Sequence, residues 1–164
     1  MIIGVPAEIT AGETRVAITP ETAKKLKAQG HTIRIQSGAG VPASVPDDAF
    51  TAVGAEITDA SGAYAADIVL KVRCPLDEEM PHAKAGSVII GMLNPFDATG
   101  LQRLATAQLT SFALEAAPRT SRAQSMDVLS SQGNIAGYKA VMMAVEKDPR
   151  FVPLVATADR PVEG

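Results

Sequence analysis

The sequence predicts an α/β fold in which a parallel sheet carries helices on both faces and a long helix lies towards the C-terminus. Short apolar segments alternate with segments of helical periodicity along the 164 residues. The clearest apolar segments, DIVLKV and SVIIGML, are hydrophobic almost throughout, which is typical of parallel strands covered on both faces. This arrangement is Rossmann-like or flavodoxin-like. We expect residues 1–150 to form one domain and residues 151–164, which lack periodicity, to form a tail or truncated linker.

Six short segments have strand character because they are rich in apolar residues and are bounded by turn signals. They are residues 2–5, 32–36, 55–57, 67–72, 87–93 and 108–114. Between them lie predicted helices at residues 20–29, 46–54, 59–65 and 97–107. The first of these has Thr19 as its N-cap, Pro20 at its first position and Gly30 at its end, which are strong helix boundaries.

The segment 121–147 predicts one long helix, or two in tandem that break near residues 132–133. A stripe of small residues runs along it, at Gly133, Ala136, Gly137, Ala140 and Ala144. Small side chains at these spacings let another backbone approach closely. The stripe therefore indicates either tight packing within the domain or an interface with another subunit or domain.

Composition excludes several classes of function. The net charge is −3 and the pI is about 5.4, which argues against a nucleic-acid partner. A single cysteine, Cys74, indicates a reducing compartment. The N-terminus lacks the features of a signal peptide, and the apolar runs are too short to cross a bilayer. We therefore expect a cytoplasmic chain without direct membrane insertion.

Some motifs predict nothing beyond ordinary structure. Residues 38–43 read GAGVPA, which matches the spacing of a dinucleotide-binding loop, but Pro42 and Pro46 interrupt the helix that such a loop needs. A plain glycine turn is the favoured interpretation. His31 and His82 stand alone, and no Walker loop, zinc-ligand spacing or nucleophile elbow occurs. We expect no metal site.

Two polar clusters lie where strands end. The first consists of Glu8, Glu13, Thr14 and Arg15, which follow the first strand at the carboxyl edge where open α/β sheets bind ligands. Arg15 is suited to a carboxylate or phosphate, although a surface ion pair with a nearby glutamate explains it equally well. Lys71 ends the fourth strand at the same edge, where it is either a second anion ligand or a snorkelling lysine.

A third cluster lies in residues 118–134. If a helix starts at Ser121, then Gln124, Asp127, either Ser130 or Ser131, and Asn134 recur at intervals of three or four residues and share one face. Such a mixture of amide, carboxylate and hydroxyl groups can pair with a ligand's carboxamide. The alternative is an N-capping region with a solvated polar face.

These stretches together resemble one protein family. GETRVAITP at 12–20, SGAGVPAS at 37–44, LKVRCP at 70–75 and PRTSRAQSMDVLSSQGNIAGYKA at 118–140 are similar to the N-terminal region of the proton-translocating NAD(P) transhydrogenase alpha subunit. The resemblance extends to alanine dehydrogenases and covers most of the chain. It implies an oxidoreductase component that holds the nicotinamide end of NAD(H).

The resemblance assigns roles to individual residues. It implies that Arg119, Gln124, Asp127 and Ser130 bind the nicotinamide, with Gln124 and Asp127 closest to hydride transfer to NADP(H). In the alanine dehydrogenase relatives, the positions of Arg15 and Lys71 bind the substrate carboxylate. Those relatives also carry a histidine after the fifth strand, where this chain reads GMLNPF, so the transhydrogenase interpretation is favoured.

The resemblance also implies partners. We expect a homodimer that assembles with other transhydrogenase subunits, including membrane components, and lies peripheral to the inner membrane. The glycine-rich NAD-binding domain of the family does not follow in this sequence, so NAD(H) binding by the chain alone is expected to be weak or absent. Two alternatives stay open: a non-catalytic docking or dimerisation module, and a fragment of an amino-acid dehydrogenase.

Overall fold

The computed structural model describes residues 1–118, 120, 123 and 126–147. The chain divides into two compact units, Met1–Met126 and Asp127–Gly164. The first unit contains a six-stranded, all-parallel sheet in the order β3-β2-β1-β4-β5-β6. The strands are β1 Ile2–Val5, β2 Thr32–Gln36, β3 Glu56–Thr58, β4 Ile68–Arg73, β5 Val88–Met92 and β6 Thr110–Ala113. The predicted Rossmann-like parallel sheet is confirmed.

Four helices connect the strands of the first unit: α1 Pro20–Ala28, α2 Asp47–Thr51, α3 Ala60–Tyr64 and α4 Ala98–Thr106. Short 3₁₀ helices lie at Val41–Ala43, Met80–His82 and Leu114–Ala116. The α1 boundary follows the sequence signals, because the Thr19 hydroxyl accepts the N–H of Thr22 at 3.2 Å. Asp59 and Asp97 cap α3 and α4 in the same way.

The core lies on both faces of the sheet. On one face, Ile3 and Ile33 pack with Phe50 of α2. On the other face, Val69 and Leu104 of α4 belong to a second apolar cluster. Along β4 the two clusters alternate, with Ile68 and Leu70 packed against the first and Val69 in the second, because successive side chains point to opposite faces.

The second unit, as described, is the single helix α5, Val128–Lys147. The prediction of an α-helix from residue 121 is wrong in its first turns, since Ala123 and Asp127 are not helical. The expected alternative break near 132–133 does not occur, and α5 is continuous. The predicted boundary at residue 150 lies outside the described residues. No helix within the described part of the chain has the length and apolar character needed to cross a membrane.

Candidate functional site at the carboxyl edge of the sheet

The strand order reverses its direction between β1 and β4. Successive strands run outwards from β1 to β3 on one side and from β4 to β6 on the other. The connections that leave the carboxyl ends of β1 and β4 therefore diverge, and ligands of open α/β sheets bind at such a switch point. The first two polar clusters predicted from the sequence meet here.

Lys71 lies in the interior of this edge. Its Nζ donates to the carbonyl oxygen of Ala7 at 3.2 Å and to Oε1 of Glu79 at 2.7 Å, and it forms an ion pair with Oε2 of Glu8 at 3.2 Å. An ammonium group has three hydrogens, so these three acceptors satisfy it. Its side chain is 1% exposed and does not snorkel to solvent. A buried cation of this kind is stable because two carboxylates compensate for its lost hydration.

Glu79 is the residue that sequence reasoning missed. Besides Lys71, its carboxylate accepts the hydroxyl of Tyr64 at 2.7 Å and the backbone N–H of Leu76 at 2.8 Å. Burial, followed by the charge of Glu79, raises the pKa of Tyr64, so the phenol stays a neutral donor. Glu79 therefore joins the end of β4 to α3 and to the connection that leads to β5. In the sequence Glu79 follows another glutamate, Glu78, and nothing in this pair of residues distinguishes a buried carboxylate from a solvent-exposed one.

Glu8 completes the enclosure from the side of β1. The pairing register of β4 with β5 shifts between Leu70 and Arg73. The carboxylate of Glu8 accepts the N–H of Val72 at 2.6 Å and that of Arg73 at 3.2 Å. The loop after β1 thus satisfies backbone donors at the irregular end of β4, which fixes the two connections against each other.

Glu13 organises the outer part of the edge. Its carboxylate binds Arg15 through Nε at 2.7 Å and Nη2 at 2.6 Å, and it accepts Nε of Arg73 at 2.9 Å. It also accepts the N–H groups of Thr14 and Arg15. The hydrogen bonds from Arg15 are the main cause that lowers the pKa of Glu13 to about 2, against the effect of burial. The ion pair anticipated for Arg15 is present, and its role as an anion ligand stays a prediction.

The third cluster is only partly visible. Arg119 and Gln124 lie outside the described residues. Oδ1 of Asp127 accepts the N–H groups of Leu129 at 3.0 Å and Ser130 at 3.1 Å, and Oδ2 accepts the Ser130 hydroxyl at 2.6 Å. Asp127 is therefore the N-cap of α5, as the capping alternative predicted. The hydrogen bond to Oδ2 holds the Ser130 hydroxyl beside the Asp127 carboxylate.

The glycine motif of residues 38–43 begins as a turn, as expected, and continues into the short 3₁₀ helix Val41–Ala43. The N–H of Gly38 donates to Oδ1 of Asp47 at 2.9 Å, and the Ser37 hydroxyl donates to Oδ2 at 2.8 Å. The Asp47 carboxylate therefore accepts the Gly38 N–H, which in a dinucleotide-binding loop would be available to a phosphate. His82 hydrogen-bonds the Ser61 hydroxyl through Nδ1 at 2.8 Å, and its ring stacks on that of Tyr64 with the ring centroids 6.4 Å apart.

An all-parallel, doubly wound sheet with a polar cluster at its switch point defines this unit as an α/β domain of the Rossmann-like class. The family described as the alanine dehydrogenase/PNT N-terminal domain matches residues 4–136. The chain belongs to this family.

Curated relatives and solved structures agree with the family match. The chain is 42% identical over 161 residues to NAD(P) transhydrogenase subunit alpha of Cereibacter sphaeroides, covering 96% of this chain and 31% of the relative. Alanine dehydrogenase of Bacillus subtilis is 32% identical over 148 residues, covering 89% of this chain and 38% of the relative.

A crystal structure of transhydrogenase from Sinorhizobium meliloti superposes with a TM-score of 0.88 at 40% identity. The match covers 96% of this chain and 48% of that one. The chain thus spans less than half the length of these relatives.

Proposed function

We propose that this chain is the N-terminal portion of an NAD(P) transhydrogenase alpha subunit. In this role it supplies the nicotinamide-side contacts for hydride transfer between NAD(H) and NADP(H), coupled to proton translocation in the assembled complex. The observation that carries the proposal is the 42% identity, over 96% of the chain, to a protein of that name. Alanine dehydrogenase is a more distant relative, at 32% identity.

The contacts that we assign to the nicotinamide come from Arg119, Gln124, Asp127 and Ser130. The geometry of the last two offers acceptors to the amide N–H groups of a carboxamide. The carboxylate of Asp127 accepts hydrogen bonds, and the Ser130 hydroxyl, which donates to it at 2.6 Å, keeps acceptor capacity of its own. We assign Gln124 and Asp127 to the positions nearest the transferred hydride.

The role of these residues is orientation. When bound, the reduced nicotinamide supplies the hydride, and the protein supplies position and surroundings. Asp127 and Ser130 fix the rotation of the carboxamide, and therefore which face of the ring is presented. Correct orientation of two reactants accounts for a large part of a rate enhancement. Partners in this proposal are a second copy of the chain and other transhydrogenase subunits, with the assembly peripheral to a membrane.

The proposal can be tested by titrating the chain with reduced nicotinamide mononucleotide, NADH and AMP, with binding followed by calorimetry. Contacts at the nicotinamide end alone predict that the mononucleotide binds about as weakly as NADH and that AMP does not bind. The double variant Arg119→Ala, Asp127→Ala should lose the signal. Asp59→Ala is a matched control, because Asp59 caps α3 as Asp127 caps α5. Binding of AMP without the mononucleotide would contradict the proposal.

A second candidate is a docking module, and the composition of α5 favours it. Ile135, Tyr138, Val141 and Met142 of α5 are all exposed. An amphipathic helix has one polar face, whereas apolar residues occur around much of α5. Association seen in sedimentation of the chain, alone and with longer transhydrogenase subunits, together with no binding of the reduced mononucleotide in the calorimetric titration, would favour the docking module. Amination of pyruvate in the presence of NADH tests the remaining alternative, an amino-acid dehydrogenase.

A further inference from the structure

Phe96 has the most exposed large apolar side chain among the described residues, at 93%. It lies in the turn between the end of β5 and the start of α4. Because β5 is parallel to the strands on either side of it, this turn lies at the carboxyl edge of the sheet. A phenyl ring in water forgoes the free energy that burial of its apolar surface would provide. Single exposed apolar residues are common on protein surfaces, but the turn that carries Phe96 is tightly constrained.

The backbone is held on both sides of Phe96. Asn94 has a φ of 51°, in the left-handed region that few residues other than glycine adopt. Pro95 fixes the next φ through its ring. The N–H of Asp97 donates to the carbonyl oxygen of Asn94 at 2.9 Å, and the Asp97 carboxylate accepts the N–H of Thr99 at 3.0 Å. The turn therefore presents the phenyl ring to solvent from a fixed backbone.

Glu115 ties this turn to the segment in which we place nicotinamide contacts. It belongs to the 3₁₀ helix that follows β6, and its carboxylate accepts the N–H groups of Leu93 at 3.3 Å and Asn94 at 2.6 Å. β5 and β6 are parallel neighbours, so the chain leaves both strands at the same edge. Arg119 and Gln124 follow Glu115 in the sequence and belong to the same compact unit as Phe96.

We propose that Phe96 stacks on the nicotinamide ring of NAD(H) and makes the chain prefer the oxidised form to the reduced form. The inference rests on the proposed function, from which it takes the presence of a nicotinamide at this edge. Stacking of two planar rings buries the exposed phenyl face. The oxidised nicotinamide is a cation, whereas the reduced ring is neutral. Because the face of a phenyl ring is the negative part of its quadrupole, it attracts the cation more strongly.

The test titrates the intact chain with oxidised and with reduced nicotinamide mononucleotide and follows the ligand by proton NMR, which detects weak binding. Protons that lie over a phenyl face shift upfield, so the nicotinamide ring protons should shift upfield on binding. Phe96→Leu keeps an apolar side chain without the aromatic ring and should abolish this shift. It should also reduce the preference for the oxidised form, given by the ratio of the two dissociation constants, by about threefold. Phe96→Tyr keeps the ring and should retain both effects.

Phe112→Leu is the matched control, since Phe112 is a second exposed phenyl of the same unit, at 56%, and lies within β6. Circular dichroism checks that each variant is folded. Binding without an upfield shift, a preference that Phe96→Leu leaves unchanged, or an equal effect of Phe112→Leu would overturn the role of Phe96 and leave the nicotinamide site in place. Failure of the wild-type chain to bind either mononucleotide would overturn the proposed nicotinamide contacts and, with them, this inference.

Discussion

Lys71 and Glu79 form a buried ion pair in which Nζ donates to Oε1 at 2.7 Å. The pair joins the end of β4 to the connection that leads towards β5. The hydroxyl of Tyr64 donates to the same Oε1 atom at 2.7 Å, so α3 is tied to the same point. Three elements that build the edge site thus meet at one carboxylate. Because the pair is buried, the loss of one partner leaves an uncompensated charge on the other.

Replacement of Glu79 is expected to destabilise the fold. In Glu79→Gln, Lys71 keeps only Glu8 as a carboxylate partner, and the free energy of unfolding should fall by about 3 kcal/mol. Urea denaturation measures this change. Glu78→Gln is the control, since Glu78 is adjacent and exposed, and its effect should stay within about 0.5 kcal/mol. Equal effects of the two variants would show that the buried pair contributes nothing specific.

Glu13 should make stability depend on pH in the acid range. Its pKa is lowered from 4.5 to about 2 in the folded chain, chiefly by the Arg15 side chain. A lowered folded-state pKa stabilises the fold above the unfolded pKa, and this contribution is lost as pH falls from about 4.5 towards about 2. The contribution is roughly 1–3 kcal/mol, since both arginine partners are partly open to solvent.

Comparison of wild type with Glu13→Gln tests this dependence. The difference in unfolding free energy, from urea titrations at several pH values, should be constant between pH 7 and about 5 and should shrink towards pH 2. Glu21→Gln is the control, because Glu21 pairs with Lys25 at 2.7 Å on the exposed face of α1. Because both side chains of this pair are exposed, that variant should unfold nearly as wild type does at every pH. A difference between wild type and Glu13→Gln that does not vary with pH would rule out the assigned ionisation.

Gly4 should tolerate no side chain. A Cβ atom at this position of β1 would lie 1.8 Å from the carbonyl oxygen of Ala63 in α3, far inside contact distance. We expect Gly4→Ala to lower the free energy of unfolding by more than about 3 kcal/mol, since both backbones would have to move apart. Gly133→Ala in α5 is the matched substitution. Nothing lies within 4 Å of its added Cβ, and alanine should increase the stability of that helix by about 1 kcal/mol.

Thermal unfolding of the two glycine variants, followed by circular dichroism, should give opposite signs. A Gly4→Ala protein that melts as wild type does would show that α3 does not approach β1 as closely as described.

Much of the fold follows from local signals in the sequence. β1 and β2 have the predicted limits because each is a short apolar segment between a turn and a helix signal. α1 follows its cap and proline. The predicted start of α5 is wrong because the polar residues before Asp127 have helical spacing. The side chain of Asp127 instead caps the helix, which begins one residue later at Val128. Side-chain capping competes with helix continuation at such residues.

The edge site was predictable only in part. Glu8, Glu13 and Arg15 follow β1, and Lys71 lies near the end of β4, so parallel strand order alone brings them to one edge. Glu79 comes from a connection without periodicity. Its contact with Lys71 depends on the path of that connection, which no spacing rule specifies. Enclosure of Lys71 and the outward position of Arg73 both follow from that unpredicted carboxylate and from Glu13.

Asp127 offers a way to separate helix capping from ligand binding. Asp127→Ala removes the acceptor of the Leu129 and Ser130 N–H groups, and it should cost the helix terminus about 1 kcal/mol. Hydrogen exchange at those two amides should become faster. Asp127→Asn should restore most of the protection, because asparagine caps as well as aspartate, but it removes the negative charge. Ser131→Ala is the control, since its hydroxyl donates to Val128 O and accepts neither amide.

The three variants then give a decisive comparison in the reduced mononucleotide titration. If the Asp127 carboxylate contacts the carboxamide, Asp127→Asn should weaken binding although its amides stay protected, because a charged acceptor gives the stronger hydrogen bond. If Asp127 acts only by capping α5 and orienting Ser130, Asp127→Asn should bind the reduced mononucleotide as wild type does. Only Asp127→Ala should then lose binding. Unchanged binding in both variants would remove Asp127 from the site and leave it as a cap alone.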